Sequence, residues 1–324
     1  MPSDLTFFCE LESQRLAALF ADPALIPLLA THRCGVALAL IDLTPERAQI
    51  VQQLTAAGVP VTAWLVLDPR DGYWLTLDNV DTARKRWQEV RNWTDAHQLT
   101  WRCVGLDIEA PQEDAVGLVD TPFLTLARLT WLRRSRQVWQ NALNDLHDLV
   151  REIRADVGEV ETYQFPFIAD ERAAQSTLLQ RVLGIADLRV DREVLMLYRS
   201  TLPEPWGSAL IDAYGPEAEA IAVGITGGGV EVLEATFAAR ELDLPLTLQE
   251  LARAKRHTER LYVFSLEGCV KKGWLAALLE APWPEFVPAP TLTRTRAGRL
   301  AARTLLAADR VVGRLRRMTR TQLP

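Results

Sequence analysis

Short apolar runs recur along the chain between longer stretches whose apolar residues return every three or four positions. The runs are TFFCELES (6–13), GVALALID (35–42), VTAWLVLD (61–68), CVGLDIE (103–109), VETYQFPF (160–167), VLMLYRS (194–200), AIAVGITGGG (220–229) and RLYVFSLEG (260–268). Their length and β-branched or aromatic content predict strands. PERAQIVQQLTAAG (45–58), VDTARKRWQEVRNWTDAHQ (80–98) and SRQVWQNALNDLHDLVREIRADVG (135–158) have helical spacing instead. Pro45 after Thr44 and Gly58 after Ala57 are ordinary start and stop signals.

Strands and helices alternating in this way over about 280 residues predict an α/β fold, a (β/α)8 TIM barrel. An open doubly wound sheet would carry a glycine fingerprint at its first turn, and CELESQ (9–14) is not one. No motif calls for a bound cofactor. The long gap from 110 to 135 predicts an insertion over the barrel mouth after the fourth strand. APWPEFVPAP (281–290), with four prolines, reads as a linker. The expected layout is a barrel over 1–280, a linker over 281–296 and a basic amphipathic helix over 297–324.

Barrel strands alternate between interior and helical layer, and barrel chemistry sits at their C-terminal ends. Cys9 and Leu11, Leu65 and Leu67, Leu106 and Ile108, and Phe264 and Leu266 are expected to face the helices. The opposite parity turns Glu10, Glu12, Asp68, Asp107, Glu109, Ser265 and Glu267 inward. Like charges gathered at one mouth cost free energy unless they are solvated, partnered or used. Trp64, Tyr73, Trp74, Tyr163 with Gln164, Tyr198 and Trp206 lie on or just beyond strand ends, where flat rings suit sugar faces. The alternative for each ring is plain core packing. TGGG (226–229) suits either a phosphate-binding nest or an ordinary loop.

Several chemistries are not supplied. The histidines (32, 97, 147, 257) and lysines (85, 255, 271, 272) all fall off the strands, so neither an imidazole metal site nor a Schiff-base lysine is expected at the mouth. Cysteines 9, 34, 103 and 269 have no CxxC spacing and sit in or beside apolar runs, which predicts buried free thiols.

GLDIE (105–109) resembles the Asp-x-Glu end of the fourth-strand signature in family 18 chitinases and related barrel glycosidases. MLY (196–198) resembles their sixth-strand Met-x-Tyr. The resemblance implies Glu109 as general acid, Asp107 orienting a substrate acetamido group that serves as nucleophile, and Tyr198 supporting that group. Cys103 and Gly105 stand where the family has further aspartates, Arg199 follows Tyr198 where it has Asp, and FSLEG (264–268) replaces its usual Trp floor.

Carboxylate chemistry therefore leads: a glycoside hydrolase acting on a carbohydrate substrate, with Glu109 as proton donor and Asp107 ionised beside it. If a protein nucleophile is used, Glu267 across the barrel is the candidate. The alternatives are a divalent-metal lyase, isomerase or phosphodiesterase using Glu10, Glu12, Asp107 and Glu109, and a non-catalytic barrel that binds a sugar or a protein.

Charge adds one asymmetry. Net charge is −6, yet residues 292–324 hold nine of the 36 basic residues and one of the 42 acidic ones. So acidic a body argues against nucleic acid as a partner. In the final stretch Ala297, Leu300, Ala301, Leu305, Ala308, Val311, Val312 and Leu315 form one helical stripe. Arg296, Arg299, Arg303, Arg310, Arg314 and Arg317 fall largely to the other side. Two placements compete: a helix packed on its own barrel with its arginines on the acidic body, or one reaching an anionic membrane surface or a partner. No apolar run approaches the ~20 residues of a membrane span. The acidic start MPSDLTFFCELES is unlike a signal peptide. The expected location is cytoplasmic, with peripheral membrane contact through the last helix as the second placement.

Overall fold

The computed structural model describes residues 4–111, 114, 128–129, 134–202, 204–229, 241–285 and 291–320. Eight parallel strands close into a barrel in sequence order: β1 (Asp4–Cys9), β2 (Gly35–Ala39), β3 (Val61–Leu65), β4 (Cys103–Ile108), β5 (Val160–Gln164), β6 (Arg192–Met196), β7 (Ala220–Gly224) and β8 (Arg260–Phe264). Closure is made by β1 against β8, with Thr6 opposite Tyr262 and Phe8 opposite Phe264. The fold is an α/β TIM barrel. The expected insertion over 110–135 lies mostly outside the described residues.

Helices wrap the outside: α1 (Ser13–Phe20), α2 (Leu25–Thr31), α3 (Pro45–Ala56), α4 (Val80–His97), α5 (Arg136–Val157), α6 (Phe167–Ala174), α7 (Leu178–Leu183), α8 (Leu210–Tyr214), α9 (Leu244–Lys255), α10 (Leu266–Lys271), α11 (Leu275–Glu280) and α12 (Leu292–Arg320). Local chemistry starts several of them. Thr44, Ser135 and Asp243 accept an N–H of the first turn of α3, α5 and α9. Cys9, Leu11, Leu65, Leu67, Leu106, Ile108 and Leu266 join the large apolar layer between strands and helices. All four cysteines are buried free thiols.

The other strand face fills the barrel. Phe8, Trp64 and Tyr163 meet edge-to-face, with ring centroids 4.8 to 5.8 Å apart, and Tyr262 and Phe264 extend the cluster. Gly105 is required here, because a Cβ on it would sit 2.1 Å from the Tyr163 hydroxyl. Phe264 was expected among the helices and instead packs inside the barrel. The alternation simply stops there: β8 ends at Phe264, and Ser265 already caps α10 by accepting the Gly268 N–H at 3.2 Å.

Below the rings, toward the N-terminal strand ends, lies a charged floor. Glu161 is 1% exposed and accepts the hydroxyls of Tyr163 and Tyr262, each at 2.8 Å. Arg102 and Arg192 reach its other side at 3.2 and 3.4 Å. The carboxylate is buried, yet paired and hydrogen-bonded, which is the condition for tolerating it there.

The last helix begins at Leu292, inside the span expected as linker, and it packs on α6 and α8. Its arginines turn toward the acidic body, as in the packed placement. Arg299 faces the barrel, pairing with Asp170 at 2.9 Å and Glu217 at 2.7 Å, its guanidinium 3.6 Å from the Tyr214 ring centroid. Arg303 adds bonds of 2.7 and 2.9 Å to the same two acids. Leu300 and Leu305 of the apolar stripe point to solvent, 67% and 74% exposed. The arginines win the inner face because Asp170, 3% exposed, needs a counter-charge and the stripe offers none. No helix among the described residues is long and apolar enough to cross a membrane.

Candidate active site

Glu10, one residue past β1, projects into the mouth on the same face as Phe8 and is buried. Its position is fixed from both sides. The next carbonyl, Leu11 O, accepts from the fully buried Arg47 at 2.7 Å, and Arg47 also donates to Ala39 O at 2.8 Å and to Asp42 at 2.9 Å. The two successive strand ends are thus tied by one guanidinium, a task suited to its fixed fork of donors. On the other side, the Tyr73 phenol donates to Glu10 Oε1 at 2.5 Å. Tyr73 is carried by the turn after β3, which folds back along β4 through the Leu75 N–H bond to Asp107 O at 2.9 Å.

Asp107 and Glu109 stand at the end of β4 on one face, Asp107 buried and Glu109 half-buried. Burial pushes the Asp107 carboxyl well above its usual range, and the charges of Glu109 and Glu10 push it further. The neighbouring Trp64 indole favours its ionised form. Burial raises Glu109 to about 7, against a lowering by the hydrogen bond with Asp107. Burial thus raises both carboxyls of the pair. Asp107, expected as the ionised member, is the deeper of the two. Its Oδ1 is buried without a hydrogen bond.

Glu267 comes from the first turn of α10, beside β8 and so on the opposite side of the ring from β4. Burial raises it to about 7, although its own N–H and those of Glu10 and Gly229 favour the charged form. The Glu10 N–H lies 3.3 Å from Glu267 Oε1, and Oε2 is buried without a partner. The glycine run after β7 wraps this carboxyl. Gly227, Gly228 and Gly229 all have left-handed φ, at 109°, 86° and 93°. A Cβ on Gly228 would lie 2.5 Å from Glu267 Cγ, and one on Gly229 would lie 2.9 Å from Glu10 Oε2. Ser265 fixes the loop by donating to Gly227 O at 2.5 Å. The nest considered for a phosphate thus encloses a carboxyl of the chain itself.

Tyr198, two residues past β6, is half-buried, and its phenol is pushed well up by burial and by the charges of Asp107, Glu109 and Glu10. The structure so brings together Glu10, Trp64, Tyr73, Asp107, Glu109, Tyr198, Ser265 and Glu267. Other expected residues stand elsewhere. Glu12 is exposed at the start of α1, past the end of the strand whose alternation had turned it inward. Asp68 is exposed too, capping a short turn and bonding Arg70 at 2.9 Å, which holds its carboxyl well below the usual range. Tyr163 sits in the barrel core with its hydroxyl on the floor, and Trp74 is 3% exposed within the same interior cluster. Gln164 faces the outer layer, donating to Leu188 O at 2.8 Å. Trp206 is exposed on the segment after β6.

Without Glu12, the carboxylate set considered for a divalent cation loses a member. Among the described residues no group of three or more His, Cys, Asp or Glu is placed to hold a metal ion. Sequence reasoning missed Gly228 and Gly229 as the wrap around Glu267, and Arg47 as the tie at the mouth. The TGGG run was the visible signal for the first; nothing in the sequence marked the second.

No protein-family model matches this chain, and no curated protein sequence does. Solved structures with a similar fold include the PgaB (BpsB) glycoside hydrolase domain from Bordetella bronchiseptica, at TM-score 0.47 and 10% identity, covering 86% of this chain and 98% of that one. A GH18 chitinase from Pseudoalteromonas aurantia gives TM-score 0.42 and 11% identity, over 86% and 100% of the two chains. The E. coli 3-keto-D-glucoside 4-epimerase YcjR gives TM-score 0.41 and 12% identity, over 93% and 98%. Glycoside hydrolases and sugar epimerases thus both figure among these likenesses, which at such scores and identities assign no activity to this chain.

Proposed function

We propose that this barrel is a glycoside hydrolase, cleaving a glycosidic bond by proton transfer from the Asp107–Glu109 pair. The observation that carries the reading is that pair: two carboxyls on one face at the end of β4, one buried and one half-buried, both raised by burial. Glu109, the half-buried member, delivers the proton to the leaving oxygen, with Asp107 beside it on the same face of β4. A general acid works best with a pKa near the operating pH. Glu267, across the mouth, receives the developing positive charge as nucleophile or activates water as base. If the substrate carries an acetamido group, as the resemblance implies, that group replaces Glu267 as nucleophile and Tyr198 steadies it.

The test is turnover of a panel of aryl glycosides and oligosaccharides by the wild type and by Glu109→Gln. The variant keeps the shape and loses the transferable proton, so kcat should fall about 10²–10⁴-fold with binding retained. Wild-type activity should decline as pH rises through about 7, where Glu109 gives up its proton. Unchanged turnover in the variant contradicts the assignment.

A second reading rests on the same matching values. Glu109 and Glu267, both raised to about 7 from opposite sides of the mouth, also suit removal and return of a proton on a sugar carbon, as in an isomerase. Deuterium entering an intact sugar from heavy water, without cleavage, would select it.

A further inference from the structure

We propose that α12 is an adapter between the barrel and an anionic membrane surface, pinned on one side by ion pairs and docking through the other. The pinned side is explicit. Arg299 and Arg303 hold Asp170 and Glu217, and Thr295 and Leu306 are buried on the same face. At 100° per residue these four positions cluster on one side of the helix. The opposite side carries Ala297, Leu300, Ala301, Leu305 and Ala308, all exposed. The sequence continues that period with Val311, Val312 and Leu315. An apolar stripe turned away from the body that supplies its helix is the reverse of what packing on the barrel alone would select.

Exposed apolar bulk is concentrated in this region. Among the described residues the large exposed hydrophobics are Val138, Leu202, Trp206, Leu300 and Leu305. Leu202 and Trp206 lie on the segment after β6, and that segment adjoins the start of α12 through the Thr291 hydroxyl bond to Pro205 O at 3.0 Å. Tryptophan is the side chain that favours a membrane–water boundary.

Charge selects the occupant. Residues 309–320 hold five arginines, at 310, 314, 316, 317 and 320, against Asp309 alone. Basic residues close to an anionic bilayer are drawn to it, each adding to the attraction. A second copy of this helix would bring the same arginines and repel. The rest of the chain carries a large acidic excess, which an anionic surface also repels, so attraction must come from this helix.

The test is sedimentation of the full-length protein with phosphatidylcholine vesicles, with and without phosphatidylglycerol. The comparison variant is Leu300→Ser/Leu305→Ser, whose substitutions face solvent and add no charge, so the melting temperature should stay unchanged. The wild type should bind the anionic vesicles in a salt-sensitive way and ignore the neutral ones. The variant should bind at least about tenfold more weakly, given the apolar area two leucines bury. Absence of anionic-vesicle binding, equal binding by the variant, or a dimer that the variant dissociates would each overturn the proposal.

Discussion

The phenol of Tyr73 and the carboxylate of Glu10 are joined by a 2.5 Å hydrogen bond across the mouth of the barrel. Both residues suit substrate contact when read from the sequence; in the structure each is occupied by the other. Burial and the Glu10 charge push the Tyr73 phenol well above its ordinary value, so it remains a donor throughout the working pH range. Tyr73→Phe deletes the hydroxyl and leaves a buried carboxylate short of one partner. Chemical denaturation should show a loss of about 1–3 kcal/mol. An unchanged midpoint would mean that solvent replaces the phenol.

Glu267 gives a pH-dependent stability. Its carboxyl binds a proton more tightly in the fold than its ordinary value of 4.5 allows, with a folded value of about 7. The stability this contributes is complete below 4.5 and is lost as pH rises to about 7. Glu267→Gln has no proton to lose, so it should gain on the wild type above that window, by up to about 3 kcal/mol, and gain little below it. Urea unfolding at the two ends of the range measures this; a difference independent of pH contradicts it.

Gly228 tests the wrap around the same carboxyl. Gly228→Ala places a Cβ 2.5 Å from Glu267 Cγ and 2.7 Å from Ser265 Oγ, at a φ of 86°. Gly273→Ala has a similar φ of 69° and meets nothing within 4 Å, so it carries the backbone cost alone. Any glycosidase activity should collapse in the first variant and persist in the second. Equal losses would show that backbone strain, not displacement of Glu267, is responsible.

Trp74 is a stability residue by its burial. Trp74→Ala should cost about 3–5 kcal/mol through the cavity it leaves. A melting temperature close to wild type, with weakened sugar binding, would instead make it a sugar platform.

The barrel was legible because alternating strand and helix periods survive averaging over many residues, and no single position decides them. Asp107 and Glu109 were legible for a related reason: both lie at the end of a continuous strand, where period-two alternation sets their side. Glu12 and Asp68 lie past the ends of β1 and β3, where the chain has turned and parity no longer applies. Tyr163 and Trp74 could not be separated from sugar platforms, because a buried ring and a stacking ring leave the same mark in a sequence. The last helix was legible only as two competing placements. Its stripe was readable, but a wheel says nothing of the surface it meets, and here that surface offers Asp170 and Glu217.

The charged floor under Glu161 also governs traffic. Filled rings above it and the Arg102–Glu161–Arg192 pairing below close the far end of the barrel. Among the described residues, Asp107 and Glu109 are therefore approached from the mouth. Under the hydrolase reading proposed above, product and incoming substrate share that side, so added product should slow turnover.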